Sequence, residues 1–252
     1  MTYALSTEVG DAIYAHALEH YSDGKREACG LIVRAADGDA YRPCANIAAG
    51  DQREGFKLCP RDWAAAEDEG EIVAIVHSHP DASAHPSDAD RLMCNRSGLP
   101  WLIISMPGGV ILQCQPVSEG LPLVGRAFHH GIVDCYTLVR DYYQQRLGIE
   151  LPDFERTDDW WGKGQNLYRE NFAKAGFVQV GGGEDATPQP HDVLLMMVKA
   201  DVENHAAVYE DAGKNLLLHH LWGRPSGHDI WGGYWKRHTT AVLRHSSLIG
   251  NP

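Results

Sequence analysis

Two sets of residues have the types and spacing that chemistry requires. In the first half, His77 and His79 stand two apart at the end of the short apolar run Ile72–Val76. Such a run reads as a buried strand, and because strand side chains alternate faces, both imidazoles project to the same side, as two ligands of one metal ion must. Asp90 falls in the first turn of a helix that Ser87 opens as N-cap, where a short loop returns its carboxylate to the strand end as a third ligand. Three protein ligands leave a fourth position for water, the arrangement of a catalytic rather than a structural zinc. Glu27, outside the ligand set, is then available as general base on that water. Each residue alone has a plainer reading as a solvated histidine, a helix cap or a strand end, and it is the joint spacing that points to Zn2+.

In the second half, Cys135 begins a helix, where unpaired N–H groups and the helix dipole favour the thiolate, so a lowered thiol pKa is expected. His205 opens the run HAAVY and His219 ends the run LLLH. If these strands pair beside the Cys135 helix, His205 can serve as base and His219 as the group that orients it. His219 and His220 compete for that last role, since strand alternation lets only one face inward. His219 is chosen because it directly follows the apolar run. The plainer reading makes Cys135 an inert buried thiol and His205 a core histidine.

The elements that must position these residues follow from periodicity and turn signals. A helix is expected over 6–21 and again over 61–68, with strands at 27–33, 41–44 and 72–76 and a turn at 35–39. The Ser87 helix runs to about Ser97, and strands at 101–105 and 110–115 pair across Pro107-Gly108-Gly109. Residues 116–124 hold two prolines and a glycine without periodicity and are expected to be a linker. Beyond it come a helix over 135–146, a Trp/Asp-rich loop at 153–164, a helix over 165–175, a glycine loop at 181–183, and strands at 192–198, 205–209 and 216–219. The expected organisation is α+β in two domains, 1–115 and 125–252.

Composition narrows the function classes. The 252 residues carry a formal charge of −12 with 44% apolar and 22% charged residues, the profile of a soluble globular chain. An acidic chain without a basic stripe is a poor partner for nucleic acid, and no apolar run is long enough to span a membrane. Six cysteines without a C-x-x-C pair suggest neither a disulfide framework nor a thiolate zinc site, which fits a reducing compartment, and the N-terminus lacks the pattern of a secretory signal.

The residues E-A-C-G at 27–30, H-S-H-P at 77–80 and S-D-A-D at 87–90 resemble the JAMM metallopeptidase motif of MPN domains. That resemblance implies an MPN α/β sandwich-like fold over about 1–115, hydrolysis of peptide or isopeptide bonds, and a role for Ser87 in hydrogen bonding the attacking water or the developing oxyanion. The residues VDCYTLVRDYY, HDVLLM, NHAAVY and LLLHH resemble the NlpC family of papain-like cysteine peptidases over roughly 125–222, with Cys135, His205 and His219 on its triad positions. Tyr136-Thr137 stand where that family has Ser-Gly, and no tyrosine lies upstream of Cys135 in the substrate-binding place. Both domains in one chain are similar to a family of tail assembly proteins of lambda-like siphophages. This implies tail-tip proteins as partners and action in the host cytoplasm during tail assembly or at the virion tail tip. The substrates implied are peptidoglycan stem peptides or tail proteins. The competing implication is a non-catalytic assembly factor that uses both folds as binding modules.

Overall fold

The computed structural model describes residues 3–36, 38–117, 120–157, 159–183 and 185–250. They form two compact units, Met1–Glu119 and Gly120–Pro252, each a mixed sheet-and-helix layer structure. The expected linker begins outside the second unit and ends within it. Residues 118 and 119 lie outside the described residues, while Leu121 and Leu123 are buried and the Arg126 guanidinium donates to the Leu121 carbonyl at 2.7 Å. Asp37 in the expected 35–39 turn and Asp158 in the Trp/Asp-rich loop also lie outside the described residues.

The first unit consists of α1 (Thr7–Ser22), β1 (Cys29–Ala35), β2 (Gly38–Cys44), α2 (Pro60–Glu69), β3 (Glu71–Pro80), α3 (Asp88–Ser97), β4 (Trp101–Met106) and β5 (Ile111–Cys114). Its sheet has the order β2-β1-β3-β4-β5, with β3 and β4 parallel across the α3 connection and the other neighbours antiparallel. Alternation along the strands divides the core in two. Ile32, Ala74 and Val76 pack with Val9, Ile13 and Ala17 of α1, whereas Leu31, Val33 and Ile75 pack with Ala66 of α2. His77 and His79 continue the parity of Ile75, so they emerge on the α2 side. Ser78 points the other way and its Oγ accepts from the Ala28 N–H at 2.8 Å, which ties the Glu27 segment to β3. Gly30 is required where it stands, since a Cβ there would meet the Tyr41 ring and the Arg42 carbonyl at 2.5 and 2.6 Å.

The second unit consists of α4 (Cys135–Leu147), α5 (Leu167–Asn171), β6 (Phe177–Gly181), β7 (Val193–Met196), β8 (His205–Asp211), β9 (Leu216–His219), β10 (Gly227–Ile230), α6 (Gly233–His238) and β11 (Thr239–His245). The sheet order is β10-β9-β8-β7-β11-β6, antiparallel throughout. Leu138, Val139, Tyr142 and Tyr143 of α4 pack on Leu195, Ala206, Val208 and Leu218. The opposite face carries Leu194, Met196, Ala207, Leu217 and Trp231. His205 and His219 share the parity of Ala207 and Leu217 and lie on that second face.

The helix expected over 165–175 shortens to the five residues of α5, because Glu203 binds its first turn from outside and the chain turns at Ala173 to start β6. The strands β6, β10 and β11 and the helix α6 lie in stretches for which no helix or strand was expected, and Gly181, expected in the glycine loop, instead ends β6 by pairing with Val242.

Candidate active sites

In the first unit β3 and the start of α3 bring the expected metal ligands together. One ligand atom from each of His77, His79 and Asp90 lies within 4.8 Å of the others. His77 Nε2 and His79 Nε2 are 3.0 Å apart, and the Asp90 carboxylate is 3.2 Å from the first and 3.4 Å from the second. His79 Nδ1 lies 2.7 Å from the Ser83 carbonyl, which can only accept, so in the neutral ring the proton sits on Nδ1 and the Nε2 lone pair is available to a cation. Two imidazole nitrogens and a carboxylate oxygen aimed at one another fit a bound cation of the zinc class. His77 is fully buried, stacked on Phe56 with ring centroids 4.7 Å apart.

Electrostatics at this cluster follow from burial and proximity. Burial lowers the pKa of His77, keeping it neutral as a ligand must be. For Asp90, burial acts to raise the pKa, but hydrogen bonds to His77, His79 and Ser87 outweigh it and hold the carboxyl well below the usual range. For His79, burial acts to lower the pKa, and the bonds to Asp90 and the Ser83 carbonyl reverse it upward. Glu27 is 6% exposed, and burial pushes its carboxyl up to about 8, with the nearby Asp90 charge adding to the rise and His79 opposing it. Its backbone is fixed by donation to the Gln52 carbonyl at 2.6 Å and by acceptance from Asn46 Nδ2 at 3.1 Å.

Ser87 stands at the N-cap of α3 and forms a capping box with Asp90. Its Oγ donates to Asp90 Oδ2 at 2.7 Å, and its N–H reaches the same oxygen at 2.7 Å. The hydroxyl proton is thereby directed at the Asp90 carboxylate.

In the second unit, Cys135, His205, Tyr168, Trp160, Trp161 and Trp222 line one cavity of about 590 Å³. Cys135 opens α4, whose N-cap is Asp134, with Oδ1 accepting from the Thr137 N–H at 2.9 Å. The lowered thiol pKa expected there is not found: burial and the adjacent Asp134 charge push it up to about 11. The cap carboxylate offsets the helix dipole on which the expectation rested. The sulfur's side-chain partner is the Tyr168 hydroxyl at 3.1 Å, and the Ala206 backbone also hydrogen-bonds to it. No hydrogen bond joins Cys135 to His205 among the described residues, although both face the cavity.

His205 Nε2 lies 3.1 Å from His219 Nδ1, in line with the shared face of β8 and β9. Burial pushes His205 down to about 3, with His219 beside it lowering it further, and burial pushes His219 down to about 4 despite the nearby Asp229 charge. His220, of opposite parity, is buried against Phe128 with ring centroids 5.1 Å apart.

Two residues at this site were not anticipated. Asp229 on β10 lies 3.2 Å from His219 Nε2, and Tyr168 on α5 touches the sulfur. A tyrosine does reach the cysteine, from downstream rather than upstream. Its position is set by the buried Glu203, which accepts from Asn166 Nδ2 at 2.7 Å and Arg169 Nε at 2.8 Å on either side of it. The sequence signal that could have found Asp229 is its place in the polar run GHD beyond the His219 strand.

Comparison with known proteins matches residues 6–115 to the family described as prokaryotic homologs of the JAB domain and residues 125–244 to the NlpC/P60 family. A tail tip assembly protein K from Escherichia phage N15 is 43% identical over 96% of this chain and 96% of its own length. The protein of the same name from Escherichia phage lambda is 44% identical over 75% of this chain and 89% of its own length. A desampylase from Haloferax volcanii is 32% identical over 42% of this chain and 81% of its own length. The order of the two domains and the identity along nearly the whole chain lead to one statement: the chain belongs to the tail tip assembly protein K family, with a JAB domain followed by an NlpC/P60 domain.

Proposed function

We propose that this chain serves phage tail-tip assembly with two peptide-bond hydrolase sites, one of JAMM type at Glu27, His77, His79, Ser87 and Asp90, and one of NlpC type at Cys135, His205 and His219. The observation that carries the reading is the convergence of the two imidazoles and the Asp90 carboxylate beside a buried Glu27. His77, His79 and Asp90 would hold Zn2+, which when bound supplies a Lewis acid that lowers the pKa of water and polarises a carbonyl. Glu27, in its carboxylate form, takes a proton from the attacking water and, now protonated, returns it to the leaving nitrogen, the second step being favoured by the burial that raises its pKa. Ser87 keeps Asp90 aimed, and the Ser83 carbonyl keeps the His79 tautomer.

At the second site His205 takes the thiol proton, the sulfur forms a thioester with the scissile carbonyl carbon, and the C–N bond breaks as the proton passes to nitrogen. Water then hydrolyses the thioester. The substrates this reading implies are peptidoglycan stem peptides for the cysteine site and a protein isopeptide or a tail protein for the metal site. The protein would act on tail-tip partners in the host cytoplasm or at the virion tail tip.

A second reading, a non-catalytic assembly factor that binds through both folds, is favoured by one observation: burial pushes the Cys135 thiol up to about 11, and its side-chain hydrogen bond is to Tyr168 rather than to His205. Complementation of a phage lacking this gene separates the two. Catalytic sites predict that Glu27→Gln or Cys135→Ala, at unchanged protein level, abolishes infectious particles. Binding modules predict that both variants, and the two combined, support normal yields.

A further inference from the structure

Asp229 lies at the end of a hydrogen-bonded chain that begins at His205. His219 faces His205 with Nδ1 and, 3.2 Å away on its other side, faces Asp229 Oδ2 with Nε2. The same carboxylate oxygen accepts from Arg224 Nη2 at 2.6 Å and from Trp235 Nε1 at 3.2 Å. Trp235 also packs against both histidines, with ring centroids 5.9 Å from His205 and 4.7 Å from His219. Asp229 is therefore held from two directions while its oxygen addresses the imidazole.

Arg224 Nη2 is itself 2.9 Å from His219 Nε2. A carboxylate only accepts and a guanidinium only donates, so the two neighbours demand opposite tautomers of His219. If Nε2 carries the proton and donates to Asp229, Nδ1 accepts from His205 Nε2–H and His205 Nδ1 is left with its lone pair. If Nε2 accepts from Arg224, Nδ1–H donates to His205 Nε2, and the His205 proton is forced onto Nδ1. Only the first arrangement leaves His205 a nitrogen able to take a proton from the Cys135 thiol.

We propose that Asp229 is a positioning residue of the cysteine site that selects the base-competent tautomer of the His205–His219 pair, its carboxylate taking the donation of the adjacent Arg224 Nη2 at 2.6 Å that His219 Nε2, 2.9 Å away, would otherwise receive. The inference rests on the reading of Cys135 and His205 as nucleophile and base. Without Asp229, Arg224 is left as an unpaired donor against His219 and imposes the unproductive tautomer. The loss should then be partly reversed by removing Arg224 as well, which a merely structural role for Asp229 would not produce.

The test is the rate of Cys135 alkylation by iodoacetamide in the full chain, followed by mass spectrometry of the Cys135 peptide across neutral pH. Nitrogen-15 shifts of His205 and His219 are read in parallel for tautomer. His205→Ala is the control. His205→Ala should slow labelling, Asp229→Ala should slow it about tenfold with the His205 proton moved to Nδ1, and Asp229→Ala with Arg224→Ala should recover most of the rate. The isosteric Asp229→Asn, whose amide can donate to Nε2, should resemble Asp229→Ala and serves if the alanine variant does not fold. Slower labelling in His205→Ala but wild-type rate and tautomer in the Asp229 variants overturns the role of Asp229 and leaves the nucleophile and base standing. A double variant no faster than Asp229→Ala overturns the tautomer account. An unaffected His205→Ala overturns the reading of the site and the inference with it.

Discussion

The Tyr168 hydroxyl sits 3.1 Å from the Cys135 sulfur, and it is the side-chain hydrogen bond that the nucleophile candidate makes. Against the burial that pushes the thiol up to about 11, this hydroxyl and the Ala206 backbone act in the opposite direction by donating to the thiolate. Tyr168→Phe keeps the ring and removes the donor. Hydrogen bonds to charged groups are worth about 1.5–3 kcal/mol, so Cys135 alkylation at fixed pH should fall about tenfold or more, with its pH profile displaced upward. An alkylation-rate profile checks this, and a faster rate in Tyr168→Phe would instead make the hydroxyl a lid over the sulfur.

Acid should destabilise the second unit through its histidines. His205 and His219 titrate at about 3 and about 4 in the folded state because burial excludes their charged forms. Free histidine titrates at about 6.5, so below that pH the unfolded chain binds more protons than the folded one. The stability these neutral rings contribute is present above about 6.5 and is lost as pH falls toward 4 and then 3, by at most about 1.4 kcal/mol per pH unit for each ring. Thermal unfolding of the wild type between pH 7 and 4 should show this slope, and His205→Ala with His219→Ala should flatten it.

Much of the first site was legible from spacing. Alternation along β3 puts His77 and His79 on one face, and Ser87 followed by Asp90 is a capping pattern that fixes where α3 begins. The second site was less so. The Cys135 pKa was expected from the helix dipole alone; Asp134 directly before it in the sequence already marks an acidic cap that opposes the dipole, whereas the enclosure of the sulfur is a tertiary feature the sequence does not display. Tyr168 reaches that sulfur because Glu203, 35 residues later, clamps α5, a tertiary contact without local signal. Asp229 lies on β10, a four-residue edge strand whose sequence GHDI lacks apolar alternation.

The metal reading predicts about one zinc per purified chain, measured by elemental analysis, because three converging protein donors could hold the ion. His77→Ala with His79→Ala should reduce this to background. Glu27→Gln should retain the zinc, since its carboxyl lies outside the ligand set. Removal of zinc by a chelator should leave Cys135 alkylation unchanged, as the two proposed sites share no residue.

The claim that the chain carries two separate hydrolase sites is tested most directly by product masses. The zinc-loaded full chain is incubated with peptidoglycan fragments and with tail-tip proteins of the same phage, and cleaved bonds are identified by mass spectrometry in wild type, Glu27→Gln and Cys135→Ala. The account predicts two cleavage products, one lost only in Glu27→Gln and the other only in Cys135→Ala. Products that persist undiminished in both variants, or no cleavage of either substrate class by the wild type, would contradict it.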